Sequence, residues 1–128
     1  MSHFTSVKTK IKNLKSLKKT IEEVFPGYEI LENETVRGYE GVTKSDIVIR
    51  GKKRNYDIGF TKVQDGTYTI VSDWWGANRE FGTEQSVIQR IQQGYSKNLV
   101  KAQAKKFGFF VKEEAKQDGT IQLQLTKY

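Results

Sequence analysis

Three short turn sequences, each lying between two predicted strand segments, constrain the fold of this chain more than any other feature. The turns occupy residues 51–55, 65–66 and 117–119, and the strand segments beside them are 46–50, 56–60, 68–74, 109–113 and 121–126. Tight turns rich in Gly, Asp and Asn join antiparallel neighbours, because parallel strands need a much longer crossover. The sequence therefore predicts a mainly antiparallel sheet.

Two segments have apolar residues at spacings of three and four, which is the pattern of an amphipathic helix. The first contains Ile11, Leu14, Leu17, Ile21 and Val24, and it is expected to end at Pro26-Gly27. The second is expected to begin after a Thr83 cap and to end at Gly108, with Val87, Ile88, Ile91, Tyr95, Leu99 and Ala102 on one side.

The rest of the chain completes a predicted order of β-α-β-β-β-β-α-β-β. Residues 2–9 and 28–31 are interpreted as strands, residues 33–44 as an irregular stretch and residues 75–82 as a loop. We expect an α+β fold in which both helices cover one face of the sheet. No boundary suggests a second domain, so residues 1–128 are predicted to form a single domain.

Composition excludes several classes of chemistry. The chain has no cysteine, which removes disulfides, thiolate nucleophiles and cysteine-bound metals. It has no apolar run near the roughly 20 residues that a membrane helix needs, and its start resembles neither a secretory signal nor a transit peptide. A net charge of +7 favours contact with polyanions or with an acidic partner.

No catalytic constellation is evident in the sequence. His3 is the only histidine, and we predict a non-catalytic role for it because a His-pair metal site is impossible and no nucleophile motif accompanies it. The phosphate-binding loop, the dinucleotide-binding glycine motif and the zinc-protease helix motif are all missing, so no cofactor is predicted.

Three carboxylates provide one alternative to a non-enzymatic function. Asp46, Asp57 and Asp73 lie in or at the ends of three successive predicted strands, where they could approach one another across the sheet. Such a cluster could bind magnesium or act in acid–base catalysis. Strand carboxylates are also ordinary residues of a solvated sheet face, and this second interpretation is favoured.

Trp74 and Trp75 form the most unusual short stretch of the chain. They follow Asp73 at the predicted end of a strand, where aromatic rings can form a binding surface for another protein. The alternative is that one indole fills the core and the other covers its edge. Adjacent strand residues point in opposite directions, so at most one of the two should be buried.

Two basic segments could bind nucleic acid. Lys52, Lys53 and Arg54 fall in a predicted hairpin turn, and the polar face of the first helix carries Lys12, Lys15, Lys18 and Lys19. Both segments could contact phosphates without strong sequence preference, although a solvated helix face is the more common role of such lysines.

Five motifs occur in the order typical of a known family. They are the residues from Met1 to Lys12, Val36-Arg-Gly-Tyr39, Asp46-Ile-Val-Ile49, Asp57-Ile-Gly-Phe60 and Asp73-Trp74. Across essentially its whole length, the chain resembles the hypothetical chloroplast reading frame thirty-five family of algal plastids and cyanobacteria. The resemblance implies a setting in the chloroplast stroma or the cyanobacterial cytoplasm and implies no activity.

The leading hypothesis from the sequence is a non-enzymatic accessory domain that binds another protein through Trp74 and Trp75. Nucleic-acid binding through the basic segments and metal-assisted catalysis by the strand carboxylates are the two alternatives.

Overall fold

Five antiparallel strands form the main sheet of the computed structural model, which describes residues 3–39 and 41–127. In chain order the described elements are β1 (Phe4–Lys8), α1 (Leu14–Val24), β2 (Ile30–Arg37), β3 (Val42–Ile49), β4 (Ile58–Lys62), β5 (Tyr68–Asp73), α2 (Trp74–Phe81), α3 (Glu84–Lys106), β6 (Phe109–Ala115) and β7 (Ile121–Lys127). The strand order in the main sheet is β1-β5-β4-β3-β2, and β6 pairs with β7 separately. The predicted α+β class with antiparallel strands is confirmed.

The helices pack on one face of the main sheet. The register places Ile47 opposite Phe60 and Phe60 opposite Ile70, so these three side chains share a face. They belong to one buried cluster that also contains residues of all three helices, namely Leu17, Ile21, Ala77, Phe81, Val87, Ile91 and Tyr95. The apolar spacing that predicted the two longer helices therefore identified most of their core side chains, whereas Leu14 and Ala102 are exposed.

The β2–β3 hairpin covers part of the opposite face. Gly59 lies between Ile58 and Phe60 in β4 and so faces away from the helices, and a Cβ there would stand 2.5 Å from the Val36 Cγ2 atom. Val36 is fully buried by this close approach. The carbonyl of Arg37 also accepts a hydrogen bond from the Asp57 N–H at 3.2 Å, so the end of β2 is fixed against the start of β4.

Two predictions about irregular segments were wrong. The stretch 33–44 was expected to be irregular, but β2 continues to Arg37 and β3 begins at Val42, while residue 40 lies outside the described residues. The stretch 75–82 was expected to be a loop, but α2 spans Trp74–Phe81. Gly76 lets the Tyr56 ring approach the helix backbone, because any Cβ would overlap that ring.

The two longer helices begin at side-chain caps. The Asn13 side chain accepts a hydrogen bond from the Ser16 N–H, and Thr83 does the same for Ser86. The Thr83 cap is as predicted, but α1 starts at Leu14, so Ile11 reaches the core from the segment before the helix. No helix in the described part of the chain is long and apolar enough to cross a membrane.

The hairpin of β6 and β7 forms at the predicted turn, where Gly119 has φ of +90°. It does not join the main sheet, as a single predicted sheet would require, and instead packs on α3, with Lys97 and Lys101 of α3 contacting Glu113 of β6. The first predicted strand is shorter than residues 2–9, and Ser2 lies outside the described residues.

Candidate functional site

Asp57 is fully buried and accepts five hydrogen bonds. Arg37 donates three of them: Nε to Oδ2 at 2.9 Å, Nη2 to Oδ1 at 2.9 Å, and its backbone N–H to Oδ2 at 2.7 Å. Arg50 Nη1 donates to Oδ2 at 2.7 Å, and the Gly51 N–H donates to Oδ1 at 2.9 Å. The carboxylate therefore ties the end of β2, the end of β3 and the turn before β4 to one point.

The charge of Asp57 is stabilised by these donors. Burial by itself would raise the pKa of the Asp57 carboxyl, but the hydrogen bonds from Arg37 and Gly51 outweigh it and lower the pKa below its ordinary value. The same pairing raises the pKa of Arg37. Asp57 is thus an ionised structural anchor, with both oxygens occupied.

The three strand carboxylates do not assemble into a metal-binding group. Asp46 accepts the Lys62 N–H at 2.7 Å, and Asp57 is occupied by its arginines. Within residues 3–39 and 41–127, no three His, Asp or Glu side chains are placed to hold a metal ion. The geometry gives no support to metal-assisted chemistry at these residues.

Asp73 has a different environment from Asp57. It is fully buried at the junction of β5 and α2, and its Oδ2 accepts the backbone N–H of Tyr39 at 2.8 Å. Its Oδ1 accepts no hydrogen bond from the described residues. Gly38 permits this contact, because a Cβ there would lie 2.7 Å from the Phe4 ring and 3.0 Å from Asp73 Oδ2. Asp73 thereby fixes the backbone that presents Tyr39.

Three rings converge beside Asp73 and form what we call the aromatic patch, which consists of His3, Tyr39 and Trp75. Trp75 stacks on His3 with 5.6 Å between ring centroids and a 25° interplanar angle, and it meets Tyr39 edge-on at 4.9 Å. His3 and Tyr39 are 5.9 Å apart. The rings nevertheless face solvent, with Trp75 60% exposed and Tyr39 53% exposed.

The two tryptophans have different positions, but the strand alternation used to predict this does not apply, because both residues belong to α2. Trp74 is half-buried and packs against the core cluster, and its buried Nε1 has no partner among the described residues. Trp75 points outward into the aromatic patch. Of the predicted protein-binding pair, Trp75 is therefore the residue that a partner could reach.

The basic turn is held in place by Glu80. The backbone N–H groups of Lys52 and Lys53 donate to the two Glu80 oxygens at 2.8 and 3.0 Å. Burial raises the pKa of Glu80, and the hydrogen bonds from Lys52 and Lys53 reverse that effect and lower it. Lys52 Nζ lies 4.4 Å from the centroid of the Tyr28 ring, and burial together with Glu80 raises the pKa of Tyr28 to about 12.

The four lysines predicted for the first helix have separate surroundings, and Lys12 lies before α1, which starts at Leu14. Lys18 forms an ion pair with Glu32, whereas Lys12 and Lys15 are exposed and have no carboxylate partner in the part of the chain that is described. Lys15 and Lys19 line a cavity together with Lys101 and Lys105 of α3. Nothing in the sequence pattern joins these four lysines, since the pairs are more than 80 residues apart.

Sequence reasoning found Trp75 but missed the rings that surround it. His3 directly precedes β1 and Tyr39 follows the end of β2, and pairing of Phe4 with Asp73 brings the first of these to α2. Strands β1 and β5 are far apart in the sequence, and no local spacing of residues predicts that they pair. The only local signal was Gly38 before Tyr39, a glycine that leaves room for Asp73.

Comparison with known proteins identifies relatives along the whole chain. A family model described as a protein of unknown function (DUF1257) matches residues 26–124. The "uncharacterized protein ycf35" of Guillardia theta is 33% identical, with an alignment that covers all of this chain and 98% of that protein. The protein of the same name from Cyanophora paradoxa is 28% identical with the same coverage. No solved structure matches the chain significantly.

Proposed function

The chain belongs to the DUF1257 family, as its resemblance to the chloroplast reading frame thirty-five proteins predicted, and on that premise we propose that it is a non-enzymatic accessory domain that binds another protein through the aromatic patch. Both ycf35 relatives come from plastid genomes. The proposed setting is accordingly the chloroplast stroma or the cyanobacterial cytoplasm.

The observation that carries this proposal is the exposure of a pre-arranged aromatic cluster. Trp and Tyr are enriched among the residues that dominate binding energy at protein interfaces. Trp75 and Tyr39 are both more than half exposed, yet each is held by contact with its neighbours and with His3. A side chain that is already ordered loses less conformational entropy when a partner binds, and this favours the patch as an anchor.

Charge supports an acidic partner. The net charge of +7 favours encounter with a negatively charged surface, because electrostatic steering raises association rates. We therefore expect an acidic protein whose interface contains either a pocket that receives Trp75 or an apolar ridge that packs against it.

Affinity purification from cells that naturally contain the protein tests the proposal, with and without nuclease and with mass spectrometry of the bound material. We expect a stoichiometric protein partner that survives nuclease. Changing Trp75→Ala should weaken its binding by about 2 kcal/mol, roughly thirtyfold, if the indole is a central anchor. Because the side chain is exposed, thermal unfolding of this variant should match that of the unaltered protein.

Phe107→Ala is a matched control for this experiment. Phe107 is also an exposed aromatic residue, but it lies at the end of α3, away from the elements that form the patch. The control should retain the partner. Equal recovery of the partner by the unaltered protein and by W75A would contradict the proposal, and loss of every partner after nuclease treatment would favour the basic segments and nucleic acid instead.

A further inference from the structure

A cavity of about 450 Å³ lies between α1, α3 and β6, built from none of the elements that form the aromatic patch. Four of the residues that line it are lysines, two from the first helix and two from α3. The residues that matter for its chemistry are Lys15, Lys19, Lys101, Lys105, Asn98 and Phe109. Pockets for small ligands commonly have volumes of about 300–1,000 Å³.

The cavity has an uncompensated positive charge. Lys101 pairs with Glu113 at 3.2 Å, and the adjacent Lys97 pairs with Glu113 at 3.4 Å and with Glu23 at 3.7 Å. These two lysines and two glutamates neutralise one another. Lys15, Lys19 and Lys105 have no carboxylate partner in the described part of the chain, so three positive charges face the cavity without a counter-charge. Lysine ammonium groups bind phosphate as point charges.

The other wall of the cavity is apolar. Phe109 and Val111 of β6 line it and are half-buried, and the aliphatic parts of the lysine side chains extend the same surface. An aromatic ring and methylene groups facing a charged wall suit a ligand that combines a phosphate with a flat ring. Base–aromatic stacking contributes about 1–3 kcal/mol per base in nucleic-acid sites.

Asn98 supplies a third, independent observation. It lines the cavity, is only 3% exposed, and donates from Nδ2 to Thr20 Oγ1 at 3.0 Å and to Glu23 Oε1 at 2.7 Å. Its buried Oδ1 accepts no hydrogen bond from the described residues. Oδ1 is an amide oxygen and can only accept a hydrogen bond, so it requires a donor such as an N–H group of a ligand.

We propose that this cavity binds a nucleoside monophosphate, either free or as the 5′-phosphorylated end of an RNA strand. Lys15, Lys19 and Lys105 contact the phosphate, the base lies against Phe109, and an N–H group of the base donates to Asn98 Oδ1. The proposal does not depend on partner binding by the aromatic patch, so W75A should leave nucleotide affinity unchanged.

Isothermal titration with AMP, adenosine, ribose 5-phosphate and inorganic phosphate tests the proposal on the full chain. We expect AMP to bind about tenfold or more tightly than each of the three fragments, because only AMP carries both the phosphate and the base. Purine riboside 5′-monophosphate, whose base has no N–H donor, should bind about fivefold to tenfold more weakly than AMP, since it leaves Asn98 Oδ1 unpaired.

Two neighbouring lysines provide a matched pair of variants. Lys105→Gln should weaken AMP binding about tenfold, because a charge-assisted contact to phosphate is lost. Lys106→Gln removes the same charge from the next residue of α3, which does not line the cavity, and should change the affinity less than about twofold. Both lysines are exposed, so neither variant should affect folding.

A short RNA with and without a 5′-phosphate identifies the source of the nucleotide. If the phosphorylated RNA displaces AMP and the unphosphorylated RNA does not, the site is assigned to a strand end. If AMP binds and neither RNA displaces it, the site is assigned to the free nucleotide. No AMP or phosphorylated-RNA binding at millimolar concentration would overturn the proposal, as would equal affinities for AMP and inorganic phosphate. An equal loss of AMP affinity in K105Q and K106Q would also overturn the proposal, because it would indicate general attraction of anions.

Discussion

At the scale of single residues, Asp57 is expected to contribute more to stability than other carboxylates of the sheet. Asp57→Asn keeps the shape but removes the charge that Arg37 and Arg50 neutralise, and it turns an N–H group toward donors. Removing one partner of a buried ion pair lowers stability by about 3–5 kcal/mol. Urea unfolding should therefore give a free energy of unfolding lower by roughly that amount.

Asp46→Asn is the matched control for this prediction. Asp46 also belongs to β3, but it is only half-buried and accepts a single backbone hydrogen bond, from Lys62. Its replacement should cost less than about 1 kcal/mol, since an amide oxygen can accept the same bond. Similar losses in D57N and D46N would show that the arginine pairing of Asp57 adds little to stability.

At the scale of elements, the contact between α1 and α3 depends on a glycine inside a helix. A Cβ at Gly94 would lie 2.8 Å from Thr20 Cγ2, which belongs to a short, stiff side chain. Gly94→Ala should therefore lower stability by about 1–3 kcal/mol, the usual cost of overpacking. In a free helix the same change would stabilise by about 0.5–1 kcal/mol.

Thr20→Ser removes the obstructing methyl group and keeps the hydroxyl that donates to the Ser16 carbonyl. In that background Gly94→Ala should become neutral or stabilising, and thermal unfolding of the four proteins of this cycle measures the coupling. If G94A is as destabilising in the T20S background as it is in the unaltered protein, then the packing between α1 and α3 is not what requires glycine.

The elements differ in how far sequence could predict them. The hairpins of residues 46–60 and 109–126 and the longer helices were predictable because turn chemistry, caps and apolar spacing act over a few residues. Helix α2 was missed because Gly76 is a weak helix former, and the ring that requires it, Tyr56, lies 20 residues earlier. The last hairpin packs on α3 instead of on the main sheet, and the Lys101–Glu113 ion pair is one of the contacts between them.

At the scale of the whole molecule, the sites depend on which distant segments the topology brings together. Trp75 was identifiable by its residue type, but the aromatic patch needs β1, β2 and α2 to meet. The lysine-lined cavity likewise needs α1 beside the end of α3, so four lysines that look like two solvated helix faces form one basic wall. Sequence patterns describe each face separately and do not show which faces are adjacent.

The pH dependence of stability follows from the lowered pKa of Asp57. The unfolded chain, whose aspartate pKa is about 3.9, binds this proton more readily than the folded chain does. Stability from Asp57 is therefore fully present above about pH 5 and is lost as pH falls through the folded pKa. The free energy of unfolding should decrease from about pH 5 toward about pH 2, and the difference between the unaltered protein and D57N should shrink over the same range.

General charge repulsion provides the competing explanation, because protonation of carboxylates raises the net charge above +7. Added salt separates the two effects. At about 0.5 M NaCl, repulsion between exposed charges is screened, since the Debye length falls to a few ångströms. The ion pairs of Asp57 are buried and are screened much less, so the convergence of the unaltered protein and D57N at low pH should persist. A parallel pH dependence of the two proteins at high salt would show instead that Asp57 does not titrate with folding.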